Sequence, residues 1–145
     1  MQQRTASRLP TVALVVGAAY LVILLAMTVT PVLNPNTTLG FAGGAFRAEA
    51  WLSPSTWTGG WSGELLANVI LFIPLGWLAA RLLPLPLAIV VPVVISVGIE
   101  FAQLFLPGRV SDPRDLVANT AGALLGVLLA RALARPAPTS RAVRQ

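Results

Sequence analysis

Four strongly polar side chains interrupt otherwise apolar stretches of this sequence. Glu100 and Gln103 lie three residues apart inside the apolar run Leu85 to Leu106, and Asn68 and Asn119 interrupt two other runs. Carboxylate and amide groups form hydrogen bonds, and a carboxylate can also act as a general base. An ionisable residue in hydrocarbon is costly, so Glu100 is a candidate functional residue by default. These four residues are therefore the first candidates for a binding or catalytic site.

Four charged residues follow Gln103 closely: Arg109, Asp112, Arg114 and Asp115. The planar guanidinium of arginine suits phosphate and carboxylate groups, and two carboxylates about 5–10 Å apart can carry out glycoside chemistry. The chain has no histidine, cysteine or lysine, which removes the commonest general base and the thiolate nucleophile. Candidate catalytic groups are therefore Glu100, Asp112 and Asp115. No spacing motif supports a metal there, and we expect no cofactor.

Composition indicates where these residues must be placed. The 145-residue chain is 56% hydrophobic and 10% charged, with a mean hydropathy of +0.79. A soluble domain is nearer a quarter charged, so the chain is predicted to be an integral membrane protein. Its arginines flank the apolar runs and form no single patch, so the net charge of +5 does not indicate nucleic-acid binding.

Four apolar runs are long enough to cross a bilayer, which takes roughly 20 helical residues. They cover about Pro10–Thr30, Glu64–Leu83, Leu85–Leu106 and Asp115–Ala134. The first run exceeds the roughly 7–15 apolar residues of a signal peptide, so we expect a retained helix. The sequence thus predicts an all-α integral membrane protein, a four-helix bundle over residues 10–135. Residues 1–9 form a cytoplasmic N-terminus and residues 136–145 a disordered cytoplasmic tail.

The arginines predict the orientation of this bundle. Cytoplasmic segments carry more arginine than external ones. With both termini inside, seven arginines are cytoplasmic and three are external; the external three are Arg47, Arg109 and Arg114. The long first loop, Pro31 to Gly63, is then extracytoplasmic. It holds three of the four tryptophans, and a short interfacial helix is expected around Phe41 to Leu52.

In this topology the polar residues lie at similar depths in the outer half of the bundle. A rise of about 1.5 Å per residue places Glu100 about 10 Å below the end of its helix and Gln103, Asn68 and Asn119 about 6 Å from theirs. Gly122 and Gly126 form a GxxxG pair, which allows close helix packing and marks the inward face. We therefore predict an outer polar pocket covered by the four charged residues from Arg109 to Asp115. Purely structural roles also remain open, among them a Glu100–Arg109 ion pair and hydrogen bonds between helices through Asn68 and Asn119.

The order and spacing of these residues resemble the VanZ-like membrane protein family. The resemblance runs from Glu64 to about Leu129, and the first helix matches in hydropathy alone. The pieces that carry it are Asn68 with Phe72-Ile-Pro74-Leu-Gly76, Glu100 with Gln103, Arg109 with Asp112 and Asp115, and Asn119-Thr-Ala-Gly122 with Gly126. The resemblance implies a small multi-helix membrane protein of a family named for teicoplanin resistance, without an established reaction.

Three hypotheses for the function follow. The first is a non-catalytic envelope protein whose pocket binds a lipid-linked cell-wall precursor, a glycopeptide or a partner protein, with membrane lipids around it. The second is a membrane-embedded enzyme that uses carboxylates on a lipid-linked substrate. The third is a proton-coupled transporter with Glu100 as the titrating group. The sequence does not predict an oligomeric state.

Overall fold

A computed structural model describes residues 8–29, 44–58 and 63–134 of the chain. The first long helix, α1 (Arg8–Val29), is followed by a 3₁₀ turn (Gly44–Phe46) and two short helices, α2 (Ala48–Leu52) and α3 (Pro54–Thr58). Three further long helices complete the described residues: α4 (Gly63–Leu82), α5 (Leu85–Gln103) and α6 (Pro113–Ala132). This part of the chain contains no strand.

The long helices form an all-α membrane bundle, which confirms the predicted fold class. Helices α4, α5 and α6 are each long and apolar enough to cross a membrane, and α1 contains a shorter apolar stretch, Leu14–Thr28. Large apolar side chains on the outside of these helices remain more than half exposed; Ile70, Val94 and Leu128 are examples. In a bilayer such apolar side chains face lipid. The helical backbone satisfies its own hydrogen bonds and so exposes no unpaired polar group to the hydrocarbon.

Two helix boundaries differ from the predicted ones for local reasons. Helix α5 ends at Gln103, three residues before the predicted end, because the chain then turns with hydrogen bonds such as Leu106 N–H to the Gln103 carbonyl. Helix α6 begins at Pro113, two residues before the predicted start. The side chain of Asp112 accepts a hydrogen bond from the Arg114 N–H and thus caps the helix. Proline at the first helical position needs no hydrogen-bond partner.

Helices α4 and α6 form the most extensive helix pair of the described bundle. A Cβ atom added at Gly122 would lie 2.2 Å from the Val69 carbonyl oxygen, and one at Gly126 would lie 2.0 Å from that of Ile73. Gly76 makes the reciprocal contact from α4 to the backbone of α6. Only glycine allows the two backbones to approach so closely. The α4–α6 contact therefore sets the distance across which polar side chains can meet.

Apolar packing fills the bundle away from the end where α4 begins, α5 ends and α6 begins, which we call the polar end. One buried cluster is formed by Leu24, Phe72, Leu75, Ile99 and Ala123. A second cluster, towards the opposite end, is formed by Ala79, Ala88 and Val127. The buried strongly polar side chains, by contrast, lie at the polar end.

Some predicted features lie partly or wholly outside the described residues. These features are the tail 136–145, most of the N-terminus 1–9, and Trp61. The interfacial helix expected around Phe41 to Leu52 overlaps the described 3₁₀ turn and α2, which occupy its second half. The 3₁₀ turn and α3 contact α6, and α2 packs against the 3₁₀ turn and α3.

Candidate polar ligand site

Glu100 lies at the centre of the polar end. It projects from the last turns of α5 and is 1% exposed. Its Oε2 accepts a hydrogen bond from the backbone N–H of Asp112 at 2.9 Å, and the hydroxyl of Ser111 and the carboxylate of Asp115 lie close by. The carboxylate therefore sits directly beneath the N-terminus of α6, where backbone N–H groups favour negative charge.

Ser111 connects this carboxylate to the segment between α1 and α4. Its Oγ accepts a hydrogen bond from the Ala45 N–H at 3.2 Å. Gly44 has a φ of 45° and packs so closely that an added Cβ would lie 2.5 Å from the Ser111 Cβ. The 3₁₀ turn is thus held over Glu100. Sequence reasoning did not select Ser111 or Gly44, although a serine just before a helix cap is a recognisable local signal.

Asn119 pairs with a serine on the neighbouring helix. Its Nδ2 donates to the Ser96 Oγ at 2.9 Å, and the two residues are 2% and 0% exposed. The Asn119 Oδ1 is buried and has no hydrogen-bond partner among the described residues. Buried polar atoms in native proteins are nearly always satisfied, so such an atom calls for an explanation. Its lone pairs could accept a hydrogen bond from a buried water or from a ligand group that reached this depth.

Asn68, on α4, is half-buried and lies beside the carboxylate of Asp115. Asp115 in turn lies near Asp112, Glu64 and Arg114. Because Asp115 is also close to Glu100, the structure brings side chains of α4, α5 and α6 together. The Asn119–Ser96 pair lies one helical turn further from the polar end on the same two helices, α6 and α5. We call all of these residues the polar cluster; it consists of Asn68, Ser96, Glu100, Ser111, Asp112, Asp115 and Asn119.

Gln103 and Arg109 contact the end of α1. The Gln103 Nε2 donates to the Thr28 carbonyl at 3.0 Å, and the Arg109 Nη2 donates to the Met27 carbonyl at 2.8 Å. Carbonyls at a helix C-terminus lack intrahelical partners, and a cation there is also favourable to the helix dipole. These two residues therefore anchor α1 to the bundle, as does the Tyr20 hydroxyl, which donates to the Leu71 carbonyl. The Gln103 Oε1 is buried without a partner in the described part of the chain.

Glu100 and Arg109 thus make different contacts from the ion pair that the sequence left open. The carboxylate accepts from the Asp112 N–H, and the guanidinium donates to the Met27 carbonyl. The two salt bridges between described residues are Arg114 with Asp112 at 2.7 Å and the exposed pair Arg47 with Glu49 at 3.4 Å.

Arg114 is held in a fixed orientation at the edge of the polar cluster. Its Nε and Nη2 both donate to the Asp112 carboxylate, at distances from 2.7 to 3.2 Å. Its Nη1 makes no hydrogen bond with the described residues. A small cleft of about 200 Å³ opens beside it, lined by Gly44, Ala50, Ser55, Thr56, Val110, Ser111, Asp112, Pro113 and Arg114. The cleft gives a polar molecule access to the surface of the cluster.

Acceptors outnumber donors in the polar cluster. Three carboxylates, of Glu100, Asp112 and Asp115, meet there, and the Asn119 Oδ1 has no partner among the described residues. Among residues 8–29, 44–58 and 63–134, no group of three or more acidic, histidine or cysteine side chains is arranged to hold a metal ion. The arrangement is suited to a ligand that brings hydrogen-bond donors such as hydroxyl or amide groups.

The fold and the polar cluster define a small helical membrane protein with a polar site at one end of its bundle. The chain belongs to the VanZ/LLP1 family, whose model matches residues 17–134. The match begins within α1 and so extends further than the resemblance carried by the motifs between Glu64 and Leu129. No curated protein and no solved structure gives a significant match to the chain.

Proposed function

We propose that this chain is a non-catalytic protein of the cell envelope that binds the polar part of a lipid-linked molecule. The observation that supports the proposal is the buried, unpartnered Oδ1 of Asn119, together with the buried Glu100 carboxylate, within the described bundle. An unsatisfied buried acceptor costs about 1–3 kcal/mol, a cost that a ligand donor would remove. Buried polar groups that lower the stability of the folded protein are typically found at functional sites.

The chemistry of the cluster favours a lipid-linked cell-wall precursor or a glycopeptide. Sugar hydroxyls and peptide N–H groups would donate to Asn119 Oδ1 and the carboxylates, and Arg114 Nη1 would engage phosphate or carboxylate. Gln103 and Arg109 would contribute by holding α1 against the site. We extend the proposal to tolerance towards glycopeptides such as teicoplanin, in line with the resemblance that the motifs carry.

The packing below the polar cluster favours a site open to one side over a transport path. The buried clusters around Phe72 and Val127 are apolar, and both lie between the polar end and the opposite end of the described bundle. A proton-coupled transporter needs polar groups through the membrane.

An enzyme remains the second candidate, since Glu100, Asp112 and Asp115 interact electrostatically with one another. Conversion of a bound lipid-linked precursor into product would favour that alternative.

We further propose that the polar end faces outward and that both termini are cytoplasmic, because the sequence then carries seven arginines in cytoplasmic segments and three in external ones. The absence of native cysteine allows a direct test with single-cysteine variants in intact cells. An impermeant maleimide should label Ser55→Cys, which is exposed in α3, without permeabilisation. Ala134→Cys, exposed just after α6, should be labelled only after the membrane is opened. The reverse labelling pattern would refute the orientation.

Binding itself is tested by titrating the purified protein in detergent. The probes are a lipid-linked disaccharide-peptide precursor and, in a separate arm, teicoplanin. Trp51 and Trp57 lie near the cleft, so their fluorescence should change in a saturable way with at least one probe. The same lipid carrier without sugar and peptide is the control and should bind more weakly. If neither probe binds better than the bare carrier, the proposed function is wrong.

A further inference from the structure

An apolar groove of about 440 Å³ runs along the bundle next to the polar cluster. It lies between α3, α4 and α6, and its lining is Trp57, Thr58, Leu65, Val69, Arg114, Val117, Ala118 and Ala121. The volume falls within the roughly 300–1,000 Å³ that is typical of small-molecule sites. Arg114 is the one charged residue among the described residues of this lining, and it lies at the start of α6, next to the polar cluster.

Arg114 lies between the groove and the polar cleft, because it lines both of them. Asp112 fixes the guanidinium through Nε and Nη2, which leaves Nη1 directed at neither of its carboxylate oxygens. A group bound at Nη1 would therefore lie between the polar cluster and the apolar groove. Guanidinium groups bind phosphate strongly, and phosphate links head group to chain in membrane lipids. The carboxylates of Asp112, Asp115 and Glu64 also lie near Arg114 and would repel phosphate, so it would have to bind on the side of Arg114 that lines the groove.

Trp57 gives the groove a defined wall on the side of the short helices. Its indole Nε1 donates to the Trp51 carbonyl at 2.9 Å, which fixes the orientation of the ring. Trp51 is held in turn by a 2.7 Å hydrogen bond from its own Nε1 to the Ala45 carbonyl. Indole rings lie preferentially at the level of lipid head groups, so this wall is placed where a lipid chain begins.

We infer that the groove between Trp57 and Val69 takes one hydrocarbon chain of a phosphate-bearing membrane lipid whose phosphate binds Arg114. The inference deepens the proposed function, because the remainder of the head group would occupy the polar cluster. In this arrangement the lipid enters the groove sideways from the bilayer. Val117 and Ala121, which line the groove, are exposed on that side of α6.

The test uses phosphatidylglycerol with dibrominated acyl chains, because bromine quenches a tryptophan that it contacts. The probe is added at low mole fraction to the purified full chain in detergent. We expect saturable quenching that falls strongly in Trp57→Phe. Val69→Phe, which fills the groove, and Arg114→Gln should each weaken binding about tenfold. Dibrominated diacylglycerol, which lacks the phosphate, should bind the wild type about as weakly as phosphatidylglycerol binds Arg114→Gln.

Val93→Phe is the matched control, since Val93 lines a neighbouring apolar groove that shares Val117 and Ala121 with the first one but does not include Trp57 or Val69. It should leave quenching unchanged, and Leu65→Phe should repeat the effect of Val69→Phe if the latter alters folding. Equal quenching in Val69→Phe, Leu65→Phe and Val93→Phe, or equal binding of the two lipids, would overturn the inference. If Glu100→Gln still weakened binding of the precursor, the proposed function would survive that result.

The opposite outcome separates the two proposals. If Glu100→Gln bound the precursor normally while the groove variants still lost lipid binding, the proposed function would be contradicted and the lipid groove would remain supported.

Discussion

Replacing Gly126 with alanine is expected to destabilise the bundle by about 2 kcal/mol, since overpacking costs about 1–3 kcal/mol. The added methyl group would lie 2.0 Å from the Ile73 carbonyl oxygen and 2.7 Å from the Trp77 backbone nitrogen. Both neighbours are backbone atoms and cannot rotate away, so α4 and α6 must separate. That separation would also widen the polar cluster, because Asn68 and Asp115 lie on these two helices.

The measurement is thermal unfolding in detergent, followed by helical circular dichroism. Gly98→Ala is the matched control, because Gly98 is an exposed glycine inside α5 with nothing within 4 Å of an added Cβ among the described residues. Alanine is the better helix former by about 0.5–1 kcal/mol, so this control should be neutral or slightly stabilising. Equal melting temperatures for Gly126→Ala and Gly98→Ala would show that the α4–α6 contact is not as close as described.

Replacing Glu100 with glutamine is expected to abolish most ligand binding while the protein stays folded. The glutamine Oε1 can still accept the hydrogen bond from the Asp112 N–H, so the contact that positions α6 persists. Hydrogen bonds to a charged group contribute about 1.5–3 kcal/mol, so binding of the lipid-linked precursor should weaken about tenfold to a hundredfold. The variant also removes one of several neighbouring carboxylates, so thermal stability should not fall.

Glu49→Gln is the control for this second prediction. Glu49 makes an exposed ion pair with Arg47 in α2, so the same substitution should alter neither stability nor binding by much. A structural role for Glu100 predicts the opposite pattern, in which Glu100→Gln unfolds more readily but binds normally once folded. Normal stability together with normal binding would remove Glu100 from the site altogether.

Much of the fold could be predicted from the sequence because the relevant signals are local. Four predominantly apolar runs of about 20 residues indicate membrane helices by length and composition. Ser96, Glu100 and Gln103 have the i, i+4, i+7 spacing of a single helix face, and all three are buried. Gly122 and Gly126 indicated a packed face, but the pattern did not identify the partner. Gly76 and the Val69 and Ile73 carbonyls show it to be α4.

The contacts around the polar cluster could not be predicted, because they join residues that are distant in sequence. Arg109 and Met27 are 82 positions apart, and Ala45 and Ser111 are 66 apart. Helical periodicity carries no information about such pairs. The sequence therefore could not show that Arg109 contacts the end of α1 while Arg114 pairs with Asp112. It also predicted that the segment around Gly44 lies at the membrane surface, but it did not predict the contact of Ala45 with Ser111.

The central claim is that the buried polar cluster binds a ligand and does more than join helices. An experimentally determined structure with the lipid-linked precursor bound tests this most directly. We expect sugar or peptide donor atoms within about 3 Å of Asn119 Oδ1 and of the Glu100 carboxylate, with the lipid phosphate on Arg114. A bound precursor whose polar groups lie elsewhere, with only ordered water against Asn119 and Glu100, would contradict the claim.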